Sequence, residues 1–341
     1  MRINFIIPFK RMSGGIRVVY IYANYLVSKG HDVCCYLPAV SYPGKGQNVF
    51  FRLKASLSNV FKREKWFECN FPVKVVPRIS DRSVRKAEIV IATAWQTAYD
   101  VNLLSNDKGR KFYFVQGLET YNGDIEQIEK TFSMPFKVIT ISNSLSKYIS
   151  KFNRNVNVVF NGLFESEFID RDKRRKPVFK IMVLFHEEPS KGTDEGIRII
   201  KALKEEGFNV EGVVFGRKIT KLYPDYIKTY QDPDRELLKK LYIDSDVFLF
   251  TSTNDAWGLT VAEAAANKCA VIGRQIGIID ELYDGSNFYV INDSDQMKDA
   301  VRKLYNDREL LKAYQESCYK TARLLEWRNS CSQFENLLEV M

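Results

Sequence analysis

Short β-branched runs alternate with amphipathic stretches along this chain, the alternation stops once, and then it begins again. That rhythm constrains the fold more than any other feature. A repeat of strand, helix and strand closes into a parallel sheet with helices on both faces. The first series runs INFII, a loop, a helix opening near Gly15, then DVCCYL, EIVIAT, KFYFVQ, KVITIS and VNVVF. Val19, Tyr22, Ala23 and Leu26 recur on one face of that first helix at spacings of three and four. RDKRRKP, from Arg171 to Pro177, is polar, charged and closed by a proline, so it reads as a linker. The second series is FKIMVLF, a helix from about Thr193, NVEGVVFG, a helix through ELLKKLY, DVFLFTS, a helix after Gly258, AVIG and FYVIN. The expectation is an α/β fold of two doubly wound domains, residues 1–168 and 178–322, and a length of 341 residues accommodates both. In such sheets ligands collect at the carboxyl ends of the strands, and with two such domains, in the cleft between them.

Several function classes fall away on composition. With 45% hydrophobic and 13% aromatic residues the chain has material for two cores and is not disordered. The first apolar run is short and broken by Pro8, unlike a signal peptide, and no stretch approaches the roughly 18 apolar residues of a membrane span. A cytoplasmic protein, soluble or peripheral to the inner face of the plasma membrane, is therefore expected. Six cysteines without a C-x-x-C pair and two histidines argue against zinc and against a disulfide framework. The net charge is +9, and from Lys45 to Lys86 there are 11 Lys/Arg against three Asp/Glu. A nucleotide, a nucleic acid or an anionic membrane would suit that charge, and composition does not choose.

The loops after the strands carry the chemistry. A dehydrogenase would open its first helix with G-x-G-x-x-G, but PFKRMSGGIRVV has only the Gly14–Gly15 pair, and no G-x-x-x-x-G-K-[ST] occurs. Two adjacent glycines at a helix start admit a phosphate close to unpaired amides, or simply make a tight turn. Lys191–Gly192 follows a buried strand and precedes a helix, which suits a diphosphate or is an exposed loop lysine. The stretch TSTNDAWGLTVAEAAANK places Asp255 in a strand-to-helix turn and Glu263 about one turn into the helix. Glu263 either answers the helix dipole or accepts paired hydroxyls of a sugar, with the amides of Trp257, Gly258 and Leu259 facing the same space.

DAWGLTVAEAAA resembles the E-G-F-G-L-x-x-x-E-A-M-A segment of the family 4 retaining glycosyltransferases, the glycosyl transferases of group 1, which have the GT-B fold. Other landmarks stand in the same order: Gly14–Gly15, Gly30–His31–Asp32–Val33, Ser142–Asn143–Ser144, Asn161–Gly162, Lys191–Gly192, Glu281 to Gly285, and Trp327. The resemblance covers nearly the whole chain. It implies that Glu263 binds the ribose of a nucleotide-sugar, that Asp255 faces the donor sugar, and that Lys191 contacts the diphosphate. It also implies that residues 323–341 form a helix crossing back to the first domain. Three departures stand out. The first acid is Asp, one methylene shorter than Glu. Phe185 stands where an arginine usually precedes the lysine, with Arg217 or Lys218 as a substitute. The histidine near the sugar is missing, with Gln96 in the nearby TAWQTAY.

The function so implied is transfer of a hexose-like unit from a nucleotide diphosphate sugar to a hydroxyl of a glycan or lipid-linked glycan, with retention, in cell-surface polysaccharide synthesis. No cofactor and no metal are expected, since no D-x-D is read in a strand-end loop and there is no histidine cluster, which leaves lysine and amides to meet the diphosphate charge. Acceptor-side candidates are Gln96, Gln116 and Glu119, the last two in YFVQGLETYNGD. A sugar-nucleotide epimerase of the same fold, or a basic protein binding nucleic acid, are the alternatives; nucleic acid is not the expected partner. Within residues 50–67, Phe50, Leu53, Leu57, Val60 and Phe61 fall on one helix face among Arg52, Lys54, Lys62, Arg63 and Lys65. Such a helix can lie on an anionic bilayer or pack against its own domain.

Overall fold

The protein is described here by a computed structural model covering residues 1–44, 48–61, 66–170, 173 and 177–340. It divides into two compact units, Met1–Phe160 with Arg328–Met341, and Asn161–Trp327.

In the first unit the strands are β1 (Arg2–Ile6), β2 (Asp32–Pro38), β3 (Val73–Val76), β4 (Ile89–Ala92), β5 (Arg110–Val115), β6 (Lys137–Thr140) and β7 (Val156–Val158). They pair in the order β3-β2-β1-β4-β5-β6-β7, parallel at every junction. The intervening helices are α1 (Gly14–Ser28), α2 (Val49–Phe61), α3 (Trp95–Leu103), α4 (Ile125–Phe132) and α5 (Asn143–Ile149). The central strands are buried along nearly their whole length, as a sheet covered on both faces requires.

The second unit has β8 (Phe179–Leu184), β9 (Val210–Gly216), β10 (Ile227–Gln231), β11 (Val247–Phe250), β12 (Ala270–Gly273) and β13 (Tyr289–Val290). Their order is β10-β9-β8-β11-β12-β13, again parallel throughout. Its helices are α6 (Thr193–Glu205), α7 (Arg235–Asp244), α8 (Leu259–Ala266), α9 (Ile278–Leu282), α10 (Ser294–Asn306) and α11 (Arg308–Ala322). Ile181, Val183, Ile197, Ile200, Val214 and Leu249 lie at the heart of its core.

The last helix, α12 (Trp327–Val340), starts at the tryptophan singled out in the sequence. Its Phe334 stacks on Tyr22 of α1 at 4.2 Å between ring centroids and meets Phe114 of β5 edge-on. Those contacts make it part of the first unit. The units divide at Phe160/Asn161, upstream of the boundary at 168 and the linker at 171–177 read in the sequence. The cause is packing: Ile169 N donates to Ala266 O, Asn267 Nδ2 donates to Glu167 O, and Phe168 meets Tyr319 edge-on, all within the second unit. Most of the linker, residues 171, 172 and 174–176, lies outside the described residues.

Each sheet reverses its strand order once. In the first unit the switch falls between β1 and β4, and in the second between β8 and β11. Loops leaving adjacent strands there diverge to opposite faces, which opens a crevice at the carboxyl ends.

Candidate functional site

Lys191 follows β8 and Asp255 follows β11, so the switch point of the second sheet brings them together. Lys191 Nζ donates to Asp255 Oδ2 at 2.8 Å and to Asn254 O at 3.1 Å. The two side chains are about a fifth exposed, 23% and 21%. The other oxygen of Asp255, Oδ1, accepts from Trp257 N at 3.1 Å, which curls the turn ahead of α8. Two hydrogen bonds lock the Lys191 turn to the end of β11: Thr253 N donates to Ser190 O at 2.7 Å and Thr251 Oγ1 donates to Gly192 O at 2.8 Å. From the end of β12, Arg274 Nη1 donates to Thr251 O at 2.6 Å. Arg274 is itself held by Glu195 of α6.

Gly192 is required where it stands. Its φ is +69°, and a Cβ there would lie 2.3 Å from Thr251 O. Gly258, at φ +87°, is the residue from which α8 starts. Leu259 is the first residue of that helix, and Trp257 is buried with its carbonyl accepting from Ile278 N at 2.5 Å. First-turn amides of α6 and α8 have no acceptor inside their own helices, so the switch point carries positive partial charge besides Lys191.

Glu263 is 5% exposed, and it sits in the fifth position of α8, beyond the first turn where a helix dipole acts strongly. Its charge is held by side chains. Oε1 accepts from Arg235 Nη1 at 2.8 Å, and Oε2 from Tyr242 OH at 3.3 Å. Arg235 also donates to Glu167. Burial works against the Arg235 charge, but Glu263 and Glu167 more than offset it and hold the guanidinium protonated. Burial first, and then Glu263, push the Tyr242 phenol well up, so it remains a donor. Sequence reasoning missed Arg235; its signal is the Asp234–Arg235 pair opening an amphipathic helix, and only folding brings it to Glu263.

Arg217 is exposed at the carboxyl end of β9. Phe185, at the position where the family carries arginine, is buried at 3% and belongs to the core. His186 lies beside Lys191; burial, and then Lys191, push its imidazole below the ordinary 6.5, so it is neutral at pH 7.

Four Asp-x-Asp triplets, a pattern that can carry a divalent cation, occur in the sequence: residues 170–172, 232–234, 244–246 and 293–295. Residues 232–234 follow β10, which corrects the expectation that no such triplet sits in a strand-end loop, and 170–172 lies mostly outside the described residues. Each of the other three spends an oxygen on backbone. Asp234 accepts from Leu237 N, Asp246 from Lys180 N, and Asp293 from Asp295 N and Gln296 N. Among the described residues the group spaced for a metal is His31, Glu335 and Glu339. It stands at the amino end of β2, opposite the strand ends that carry Gly14–Gly15.

In the first unit the switch point gathers Gly14–Gly15 after β1, Gln96 after β4, and Gln116 with Glu119 after β5. Gly14 and Gly15 are the first residues of α1, and Ser13 Oγ caps it by accepting from Ile16 N. Gln116 Nε2 donates to Gly15 O at 3.1 Å. Glu119 adopts φ +53°, and its Oε2 lies 3.5 Å from the Trp95 amide at the start of α3. Burial pushes its carboxyl up from the ordinary 4.5 to about 7, against the lowering effect of that amide. Gln96 Oε1 and Trp95 Nε1 are buried with no hydrogen-bond partner among the described residues. Buried polar atoms are nearly always paired, so these two have hydrogen-bonding capacity left for a water or a ligand.

Residues 166–321 match the family model of the glycosyl transferases group 1. This segment is a group 1 glycosyltransferase domain. The chain is 24% identical over 143 residues to an alpha-galactosylglucosyldiacylglycerol synthase of Streptococcus pneumoniae, covering 39% of itself. It spans about two fifths, 38%, of the length of that curated relative. Among solved structures it is similar to the sucrose-phosphate synthase of Thermosynechococcus elongatus, with TM-score 0.73, 11% identity and 98% of each chain covered. It is also similar to the HepE protein of Anabaena in complex with UDP-glucose, with TM-score 0.73, 12% identity and 100% of each chain covered. At these identities the likeness shows the fold, which is GT-B, over the full chain.

Proposed function

We propose that the chain is a glycosyltransferase that moves a hexose-like unit from a nucleotide diphosphate sugar to a hydroxyl acceptor. The carrying observation is the stapled pair of turns at the β8/β11 switch point, inside the segment that matches the group 1 family. In this reading Lys191 and the first-turn amides of α6 and α8 neutralise charge growing on the departing diphosphate. Asp255 faces the donor sugar while positioning Lys191. Glu263, fixed by Arg235 and Tyr242, accepts from the ribose hydroxyls. The family resemblance supports retention of configuration. No protein nucleophile is assigned; the leaving phosphate takes the acceptor proton.

Uridine is the first base to test, because solved relatives are described in complex with UDP or UDP-glucose. A glycan or lipid-linked glycan on the way to a cell-surface polysaccharide is the proposed acceptor. The pneumococcal relative, named as the synthase of a glycosylated diacylglycerol, supports a lipid-linked one. Gln96, Gln116 and Glu119 are its proposed contacts. The work is proposed to take place in the cytoplasm, at the inner face of the plasma membrane.

Calorimetry with UDP is the test, on wild type and on Glu263→Gln. A hydrogen bond to a charged group contributes about 1.5–3 kcal/mol, so the variant is expected to bind UDP about 10- to 150-fold more weakly. Equal affinity would remove Glu263 from the donor site, and no binding of any nucleotide diphosphate by wild type would overturn the reading. With lysine and amides meeting the diphosphate charge, transfer should survive EDTA. A strict requirement for Mg²⁺ or Mn²⁺ would direct attention to the Asp-x-Asp triplets.

A further inference from the structure

Helix α2 is mounted inside out. An ordinary surface helix turns its apolar stripe to the core and its polar face to water. Here Val49, Phe50, Leu53, Leu57, Val60 and Phe61 are exposed, from 45% at Val60 to 83% at Phe50. The side chains that bond α2 to the rest of the unit are polar. Asn59, only 5% exposed, donates through Nδ2 to Pro38 O at 3.3 Å. Arg52 Nε donates to Ser41 O at 2.8 Å, and Ser41 N donates to Ser56 Oγ at 2.9 Å. Hydrogen bonds hold the helix by its hydrophilic side and leave six large apolar side chains facing outward. A contiguous apolar face of this kind marks an interaction surface.

The charge around the face selects its occupant. Lys54 is exposed on the same helix, and the stretch from Lys45 to Lys86 carries 11 Lys/Arg against three Asp/Glu. A second copy of this chain docked symmetrically would bring these cations against their own equivalents, which disfavours it. An anionic surface with an apolar interior accepts both the cations and the phenylalanines. At 13 residues the helix is about 20 Å long, too short to span a bilayer, and among the described residues no helix is long and apolar enough to cross one. It can only lie in the interface plane. Lys62, Arg63 and Lys65, which continue the basic run in sequence, lie outside the described residues.

We propose that α2 is an interfacial membrane helix that seats the first unit on an anionic bilayer, apolar face down. The helix stands at the carboxyl end of the first sheet, since Pro38 ends β2, and the same loop is tied to α3 through Tyr42 OH and Asp100. Helix α3 begins with Trp95 and Gln96. The seated edge is therefore the edge that carries the acceptor-side residues, and an acceptor anchored in the same bilayer would reach them from below. That last step rests on the glycosyl-transfer reading; the seating itself does not.

Flotation with vesicles of phosphatidylglycerol and phosphatidylcholine, against phosphatidylcholine alone, tests the seating without donor or acceptor. Wild type is expected to float with the anionic vesicles at low salt and to be released as salt rises. Leu53→Glu/Leu57→Glu, at exposed positions outside the proposed sugar sites, should keep the wild-type melting temperature and reduce vesicle binding at least tenfold. Lys54→Glu should reduce it about fivefold or more, since each basic residue near the surface contributes about that factor. Failure of wild type to float, or equal flotation of the double variant, would overturn the proposal. So would a concentration-dependent dimer in sedimentation velocity that Leu53→Glu/Leu57→Glu abolishes without any change in vesicle binding, which would reassign the face to a second copy. UDP binding is measured separately, so the two readings can fail independently.

Discussion

The two sheets solve the same topological problem with opposite chemistry. Both reverse strand order once, and both place a glycine-bearing turn after the strand at the switch. At the β8/β11 switch the side chains are already matched: Lys191 with Asp255, Arg235 with Glu263 and Glu167, Arg274 with Glu195. At the β1/β4 switch they are not. Glu119 is driven toward neutrality by burial, while among the described residues Gln96 Oε1 and Trp95 Nε1 have no hydrogen-bond partner. The second unit's site is held in shape by its own charges, and the first unit's holds polar atoms that a ligand could satisfy. Pre-organised charge suits a diphosphate leaving group, and unpaired neutral groups suit sugar hydroxyls.

The largest expected effect comes from breaking the stapled side of that comparison. Gly192→Ala puts an L side chain at φ +69° with its Cβ driven into Thr251 O. A strained left-handed residue costs about 1–3 kcal/mol, and the backbone clash adds to it, so a loss above about 3 kcal/mol is expected. For a unit of this size that lowers the melting temperature by roughly 6–12 °C. The measurement is a thermal scan. A variant as stable as wild type would show that the turn is not locked to β11.

A smaller effect, specific to the other switch point, comes from pH. Glu119 has its carboxyl raised from 4.5 to about 7 in the folded chain. A raised carboxyl favours folding while it is protonated, so its contribution is full below about pH 4.5 and is lost as pH rises through 7. At about 1.4 kcal/mol per unit, wild type should lose up to about 3 kcal/mol of stability between pH 4.5 and pH 8 from this group. Glu119→Gln should remove that slope and be the more stable protein at pH 8. Melting curves of both across pH 5–8 check it; parallel profiles would show that Glu119 is not buried as described.

Much of this was legible in the residues, for reasons particular to each element. Central strands such as INFII, DVFLFTS and AVIG announce themselves because a parallel strand buried on both faces is a continuous apolar run. The strands missed in reading are β3 (VKVV) and β10 (IKTYQ), each at the edge of its sheet, half exposed and interrupted by lysine. Lys191, Gly192, Asp255 and Gly258 were visible because strand-to-helix turns keep their members close in sequence. Arg235 was not, since it reaches Glu263 only by folding across 28 residues, and the inverted mounting of α2 depends on which side Ser41 and Pro38 engage. An amphipathic pattern gives the two faces of a helix without saying which one is turned inward.

The smallest expected effect concerns the ion pair at the heart of the matched site. Lys191 and Asp255 are 2.8 Å apart but about a fifth exposed, and solvent-reached pairs contribute roughly 0.2–1 kcal/mol to stability. A thermal double-mutant cycle of Lys191→Met and Asp255→Asn should therefore return a coupling below about 1 kcal/mol. Their effect on UDP should be larger and opposite in kind. Losing the ammonium removes a charge-assisted contact to phosphate, so Lys191→Met should weaken UDP about tenfold or more. Asp255→Asn removes the carboxylate that competes for Lys191 Nζ, so the bare nucleotide should bind as well as before or more tightly, while transfer of the sugar falls. A cycle in which both variants weaken UDP equally would mean that the pair acts as a structural clamp, and that the charge at this switch point is spent on the fold rather than held for a ligand.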